Sequence, residues 1–245
     1  MYMGGKNRIS KYLIPVMESN RRGRTWVEPF IGGGNTIDKV GGTRIGADIN
    51  HYLIDFWGSI QKGWVPPNHV TKDEYHWIKQ NKEHNTTLTL WAGISCSYGG
   101  KWFGGWINDY GESKRRKDGS LPNHQKESKR SVLKQVEKIK NIKLVCCSYD
   151  DLEIPPDSLI YCDPPYAGTE GYKDAFDNSK FWQWCRDKSA EGHQVYISEY
   201  SAPDDFLCVK EIKTITQLGN GVGAGNQKRT EKLFIAPSKE LQEIW

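Results

Sequence analysis

No apolar run in this 245-residue chain extends beyond a few positions, far short of the roughly 20 residues that a membrane-spanning helix needs. No basic-then-apolar leader follows Met1, so a soluble, cytoplasmic protein is expected. The six cysteines (Cys96, Cys146, Cys147, Cys162, Cys185, Cys208) form no CxxC pair and the histidines show no HxxxH spacing, which removes the usual zinc signatures and predicts no metal. In a reducing compartment these cysteines read as structural thiols. Phosphate loops are missing as well: neither GxGxxG nor GxxxxGK followed by Ser or Thr occurs, so dinucleotide and triphosphate ligands lose support. No repeat or low-complexity linker divides the chain, and nothing calls for an obligate protein partner or a membrane.

What is present fits one main core, burying on the order of 70–75% of the unfolded surface. The net charge is only +4, yet it is uneven: residues 101–140 hold eleven Lys/Arg against five Asp/Glu, a regional +6 that leaves −2 for the rest. A solvated helix face would account for part of this. Interleaving with Trp102, Phe103, Trp106 and Tyr110 points to a polyanion that also offers flat bases for stacking. Lys101, Trp102 and the run Lys114, Arg115, Arg116, Lys117 are candidate contacts, the run favouring phosphates over base edges, with a solvated loop as the alternative. Lys228 and Arg229, beyond a glycine-rich loop, form a second candidate patch.

Along the chain, residues 24–27 read as a short strand and Glu28-Pro29-Phe30-Ile31-Gly32-Gly33-Gly34-Asn35-Thr36 as a glycine turn opening a helix. Residues 43–48 read as a second strand ending in Asp48, and 51–61 as an amphipathic helix, a βαβα beginning with parallel pairing. Residues 65–80 suggest a turn and helix, and 88–94 fit strand or helix equally. The stretch 95–125 has no sustained period, and helical spacing returns over 126–140. Strands are predicted at 142–147, 158–162 and 194–198, a helix at 179–190, and a terminal antiparallel hairpin from 209–214 and 231–235. The organisation implied is an α/β domain over 1–62 and 141–245, interrupted by an insertion over 63–140.

Two features carry chemistry. The apolar run at 158–162 is stopped by Asp163-Pro164-Pro165-Tyr166, which leaves a carboxylate at a strand end. The two prolines contribute carbonyls without N–H donors, so acceptors cluster beside an aromatic face, an array suited to an exocyclic amino group on a flat ring. Further upstream, the glycine turn lets backbone approach a ligand closely, and Asp48, at the end of the next strand, is placed to accept hydrogen bonds from a ribose diol. A tight turn and a helix cap from Asp48 would be the bland alternative. At the N-terminus, a segment folding over a cofactor would set Lys6 near a carboxylate and Tyr2 as an aromatic wall.

Taken in order, Gly4-Gly5-Lys6, Glu28-Pro29-Phe30-x-Gly32-x-Gly34, Ala47-Asp48-Ile49-Asn50, Cys147-Ser148-Tyr149-Asp150 and Tyr161-Cys162-Asp163-Pro164-Pro165-Tyr166 resemble the Dam-type N6-adenine DNA methyltransferases, D12 class, alpha group. The resemblance implies a Rossmann-like α/β fold with a mostly parallel seven-stranded sheet and an inserted target-recognition region. It implies methyl transfer from S-adenosyl-L-methionine to N6 of a flipped-out adenine in a short sequence of double-stranded DNA. Asp163, Pro164, Pro165 and Tyr166 would be catalytic. Gly32, Gly34 and Phe30 would shape the cofactor pocket, Asp48 would hold the ribose hydroxyls, Ser148 and Tyr149 would border the cofactor's adenine, Tyr2 and Lys6 would contact its methionine end, and Glu28, Pro29, Ile49 and Asp163 would also belong to the cofactor-binding set. Tyr2 stands where the family usually carries Trp. The segment 95–110 is closer to phage-encoded adenine methylases than to members reading GATC, and would place the protein in a host-cell cytoplasm, at the nucleoid. RNA-adenine and protein-glutamine methylases usually carry Asn in place of Asp163, and N4-cytosine methylases Ser; these, and a relative that binds DNA without catalysis, are the alternatives.

Overall fold

The computed structural model describes residues 5–107, 123–165, 176–217 and 226–238, with backbone alone at 214–217 and 226–229. Its strands are β1 (Trp26–Glu28), β2 (Arg44–Asp48), β3 (Lys143–Cys146), β4 (Leu159–Cys162), β5 (Gln194–Glu199), β6 (Leu207–Gln217) and β7 (Asn226–Ile235). They form one sheet in the order β3-β2-β1-β4-β5-β7-β6, parallel except where β7 runs against β5 and β6. This mixed α/β sheet, five parallel strands ended by an antiparallel hairpin, fits a Rossmann-like methyltransferase. No helix among the described residues is long and apolar enough to cross a membrane.

The central strands are apolar on both sides. β1 and β4 are buried at every position, as expected for parallel strands covered on two faces. Side-chain alternation sorts them into two cores. Trp26, Leu159, Tyr161 and Tyr196 face one way, together with Leu13 and Met17 of α1 (Ser10–Glu18) and Leu53, Phe56, Trp57 and Ile60 of α2 (His51–Gln61). Val27, Ile45, Ile160, Cys162, Val195 and Ile197 face the other way, onto Phe181, Trp184 and Cys185 of α7 (Asn178–Ala190).

Local signals set the helix starts. Asn50 caps α2 by accepting from Tyr52 N–H, and the four buried residues of α2 recur at helical spacing. Thr71 and Glu74 close a capping box at α3 (Lys72–Gln80), and Asp177 accepts from Lys180 N–H at the start of α7. The span between α2 and β3 also holds α4 (Thr86–Leu90), a π turn at Trp91–Ser95, α5 (His124–Leu133) and α6 (Val136–Ile139). The ambiguous stretch at 88–94 is therefore helical. Next, Ser97 and Trp106 pair as an antiparallel bridge, Tyr98 N–H donating to Gly105 C=O at 2.8 Å, so 97–106 closes as a compact loop.

One expectation fails. The glycine turn does not open an α-helix: only a single 3₁₀ turn, Ile37–Lys39, lies between β1 and β2. Gly32 to Gly34 before it and Gly41-Gly42 after it leave too few good helix formers to sustain a longer element. No α-helix N-terminus follows this loop, so it offers a ligand bare backbone but no helix dipole. Helix α1 carries Pro15 in its interior, which weakens the helical signal of its sequence.

Candidate active site

The chain steps from β1 to β2 to β3 on one side of the sheet, then returns to β4 and β5 on the other. In open α/β sheets such a reversal leaves a crevice outside the strands' carboxyl ends. Here the crevice falls between the ends of β1 and β4, the two points where Glu28-Pro29-Phe30 and Asp163-Pro164-Pro165 begin.

On the β1 side, Pro29 is buried, Phe30 half-buried, and the chain turns through Gly32 (φ 45°) and Gly34 (φ 62°), left-handed backbone that a side chain would strain. Three bonds hold the turn. Ile31 N–H donates to Ala47 C=O at 2.8 Å, Trp57 Nε1 to Gly32 C=O at 3.0 Å, and Gln135 Nε2 to Gly33 C=O at 3.3 Å. The Asp48 carboxylate bridges turn and strand, accepting from Gly32 N–H and Asn50 N–H, each at 3.0 Å. Burial pushes its carboxyl pKa up, and these two N–H bonds offset part of the rise. The cap of α2 is Asn50, not Asp48, so the bland reading of Asp48 as that helix's cap is corrected. Ile49 beside it is exposed.

On the β4 side, Lys6 Nζ lies 2.9 Å from Asp163 Oδ1 and 3.8 Å from Glu231 Oε2 of β7. Lys6 is 7% exposed and Asp163 24%, so the ammonium is buried and the carboxylate keeps partial access to solvent. Burial draws the Lys6 ammonium pKa down, but Asp163 and Glu231 together raise it further, keeping it charged. Pro164 is buried and Pro165 half-buried. Behind Asp163, Tyr161 and Ser198 share a 2.8 Å hydroxyl bond. Cys162 points into the opposite core beside Cys185, its thiol pKa pushed well up by burial and by that neighbour, so it is not a nucleophile.

Glu28 is buried at 3% exposure and accepts from Trp26 Nε1 at 2.9 Å. Burial raises its carboxyl pKa well above the ordinary range, outweighing the Trp26 bond. Since the folded pKa exceeds the unfolded one, the folded state binds the extra proton, and stability present below the ordinary carboxylate pKa is lost as pH rises through the raised value. Thermal melts from acid to mildly alkaline pH should therefore fall more steeply for the wild type than for Glu28→Gln; parallel curves would contradict the assignment.

Phe30 and Tyr149 lie 5.5 Å apart and build an aromatic wall with Phe176 and Phe181, the latter contacting both rings edge-on. Ser148 Oγ donates to the Asp150 carboxylate, which is also paired with Lys180. Sequence reasoning missed Phe176, Trp57, Gln135 and Glu231. Each reaches the site from a distant segment, and only the aromatic density of 176–184 gave any local signal.

Of the candidate nucleic-acid contacts, Lys101 and Trp102 are exposed on the 97–106 loop. Trp102 packs on Phe103 and, at 5.3 Å between ring centroids, on Tyr52, while remaining 41% exposed. Gly93 in the π turn makes room: a Cβ there would come within 2.7 Å of the Trp102 ring. Lys228 and Arg229 occupy β7 opposite Ile215 and Thr214. Tyr2, Tyr166 and the run Lys114, Arg115, Arg116, Lys117 lie outside the described residues.

Comparison with known proteins adds independent findings. A family model, D12 class N6 adenine-specific DNA methyltransferase, matches residues 2–88 and 110–211. The unmatched gap falls across the 95–110 stretch set apart by sequence. The chain is similar to the Type II methyltransferase M.FokI of Planomicrobium okeanokoites, 27% identical over 211 residues that cover 76% of this chain and 31% of the relative, so it spans about a third of that protein's length. Among solved structures, the methyltransferase candidate SMU.472, complexed with SAH, aligns at 11% identity and a TM-score of 0.38, covering 96% of this chain and 53% of that one. The methylase candidate HI0767 of Haemophilus influenzae aligns at 8% identity and a TM-score of 0.36, covering 96% and 91%. The fold assignment rests on the strand order rather than on these two alignments.

Proposed function

Given that the chain belongs to the D12 class of N6 adenine-specific DNA methyltransferases, we propose that it methylates N6 of an adenine extruded from double-stranded DNA, using S-adenosyl-L-methionine. The observation that carries this reading is the Asp163 carboxylate, fixed by Lys6 at the end of β4, across the crevice from the glycine turn and Asp48.

The residues present suit that cofactor. Asp48 accepts backbone bonds on both oxygens, yet a carboxylate has about four lone-pair sites, so capacity remains for a ribose diol. Glycines at positive φ bring bare backbone to the ligand, and the wall of Phe30 and Tyr149 offers a flat apolar face for a nucleobase. When bound, S-adenosyl-L-methionine supplies an electrophilic methyl on a sulfonium.

The chain's own task is to prepare the amino nitrogen. In adenine its lone pair is delocalised into the ring. The Asp163 carboxylate and Pro164 carbonyl accept the two N6 hydrogens, draw the nitrogen toward sp³ and direct its lone pair out of the ring plane. Lys6 holds Asp163 in one rotamer by a charge-assisted bond at Oδ1. Asp163 need not be a strong base, because methylation itself makes the nitrogen acidic. Tyr166 is assigned to stacking on the base, Tyr2 to the cofactor's methionine end, and Lys101 and Trp102 to DNA. An adenine inside a duplex is out of reach of this crevice, so extrusion at a cost of a few kcal/mol is part of the reading. The insertion at 63–140 is assigned to target recognition.

Transfer of a tritiated methyl group to duplex DNA, with single-stranded RNA and protein extract as competitors, tests the assignment. Long-read sequencing of DNA from expressing cells should report N6-methyladenine in one short context. Its absence, or N4-methylcytosine instead, would overturn the proposal.

A further inference from the structure

Helix α5 and its C-cap Lys134 place Lys126, Lys129, Arg130 and Lys134 at the i, i+3, i+4, i+8 spacing that lines one helix face. With Asn68 and Leu133 these residues line a shallow hollow of about 360 Å³. Among the described residues, no carboxylate lines it. Lys129 Nζ donates to Asn68 Oδ1 at 2.8 Å, and Leu133, 41% exposed, gives the lysine stems an apolar floor.

We propose that this basic ridge seats sugar-phosphate backbone of the substrate duplex, as a second DNA contact in addition to Lys101 and Trp102. The inference rests on the DNA-methylation reading above. Three observations carry it.

First, the ridge is single-signed, and from Lys126 to Lys134 it runs about 12 Å at 1.5 Å per residue. A duplex presents about seven phosphates over that length. Second, both ends of the helix segment are pinned, as a merely solvated charged helix need not be. At one end the fully buried Gln125 accepts from Val70 N–H at 2.7 Å and donates to Val70 C=O at 3.1 Å. At the other, Gln135 donates to Gly33 C=O and to Asp38. Third, those pins lead to the site. Trp106 of the 97–106 loop donates to the same Val70 carbonyl at 2.8 Å, and Gly33 belongs to the glycine turn. The ridge thus spans from the recognition loop to the cofactor loop, and its charges are held in fixed positions relative to both.

The test compares the full-length protein with two variants of equal net charge. One carries Lys126→Gln, Lys129→Gln, Arg130→Gln and Lys134→Gln; the control carries Lys11→Gln, Lys62→Gln, Lys143→Gln and Lys210→Gln, all exposed and outside the insertion. Fluorescence anisotropy with a short mixed-sequence duplex is recorded across salt concentrations, and calorimetry with S-adenosyl-L-methionine confirms that both variants are folded. With one phosphate per cation at about 0.9 each, the ridge variant should lose up to about 3.6 units of the slope of log K against log salt, and about 10- to 100-fold in affinity near 100 mM salt. The control should lose far less. Equal losses in the two variants, or an unchanged slope in the ridge variant while the wild type methylates DNA, would overturn the ridge assignment alone. A wild type that neither binds nor methylates duplex would overturn the DNA reading and this inference together. Tighter, more ridge-dependent binding of single-stranded RNA would assign the surface to a different partner and overturn the duplex proposal.

Discussion

Asp163→Ala should lower the rate of methyl transfer on the order of 1,000-fold or more, the scale lost when a positioned acceptor or an electrostatic anchor is removed from a reacting centre. Cofactor affinity should persist, because the glycine turn and Asp48 are held by bonds that do not involve Asp163. A second effect follows from the Lys6 contact at 2.9 Å. Removing the carboxylate takes the near charge partner from a buried ammonium and leaves the Glu231 carboxylate farther off, at 3.8 Å. Breaking a fully buried pair costs about 3–5 kcal/mol, and partial exposure of Asp163 places this case toward the lower end. The melting temperature should therefore fall along with activity. Combining Lys6→Met with Asp163→Ala separates the two: stability should be partly restored while turnover stays lost. Near-normal turnover of Asp163→Ala in a tritiated-methyl assay would sink the catalytic assignment, and no recovery of stability in the double variant would sink the ion-pair account.

The second large effect is expected at Asp48. Its carboxylate ties Gly32 N–H to Asn50 N–H, and so sets both the glycine turn and the first residue of α2. Asp48→Ala leaves those donors without their acceptor and removes the partner assigned to the ribose hydroxyls. Hydrogen bonds to a charged group contribute about 1.5–3 kcal/mol each, so cofactor affinity should weaken by about 100-fold. The turnover number at saturating cofactor should change much less, which distinguishes Asp48 from Asp163. Asp48→Asn should fall between, since its amide oxygen replaces only one acceptor. Calorimetric titration of the wild type and both variants decides the matter; identical affinities would remove Asp48 from the cofactor site.

Much of the architecture followed from local chemistry. The run at 158–162 is apolar from Leu159 to Cys162 and is stopped by two prolines one residue later, as a buried strand would be, and Leu159–Cys162 is one. The helix at 51–61 announced itself through Asn50 and the recurrence of Leu53, Phe56, Trp57 and Ile60. The terminal hairpin was visible from two β-rich runs around a glycine loop, though the strands extend further than either run. Where local signals were weak or mixed, tertiary packing decided. The stretch at 88–94 is apolar enough for strand or helix, and it became a helix with a π turn where Gly93 admits Trp102 and Phe103. The glycine turn looked like a helix start, but its glycines serve the loop's bonds to Trp57 and Gln135 instead.

The sequence by itself determined the two candidate corners of the site, Gly32 to Asp48 and Asp163 to Pro165, because strand ends, proline stops and glycine turns are written within a few residues of one another. It could not show that these corners face each other. That depends on the crossover which sets β4 beside β1, a pairing between residues more than a hundred positions apart. The same holds for Lys6 with Asp163 and Glu231, and for Gln135 with Gly33. Such contacts form only when burial of two hydrophobic faces closes the sheet, and no short-range pattern in the chain encodes them.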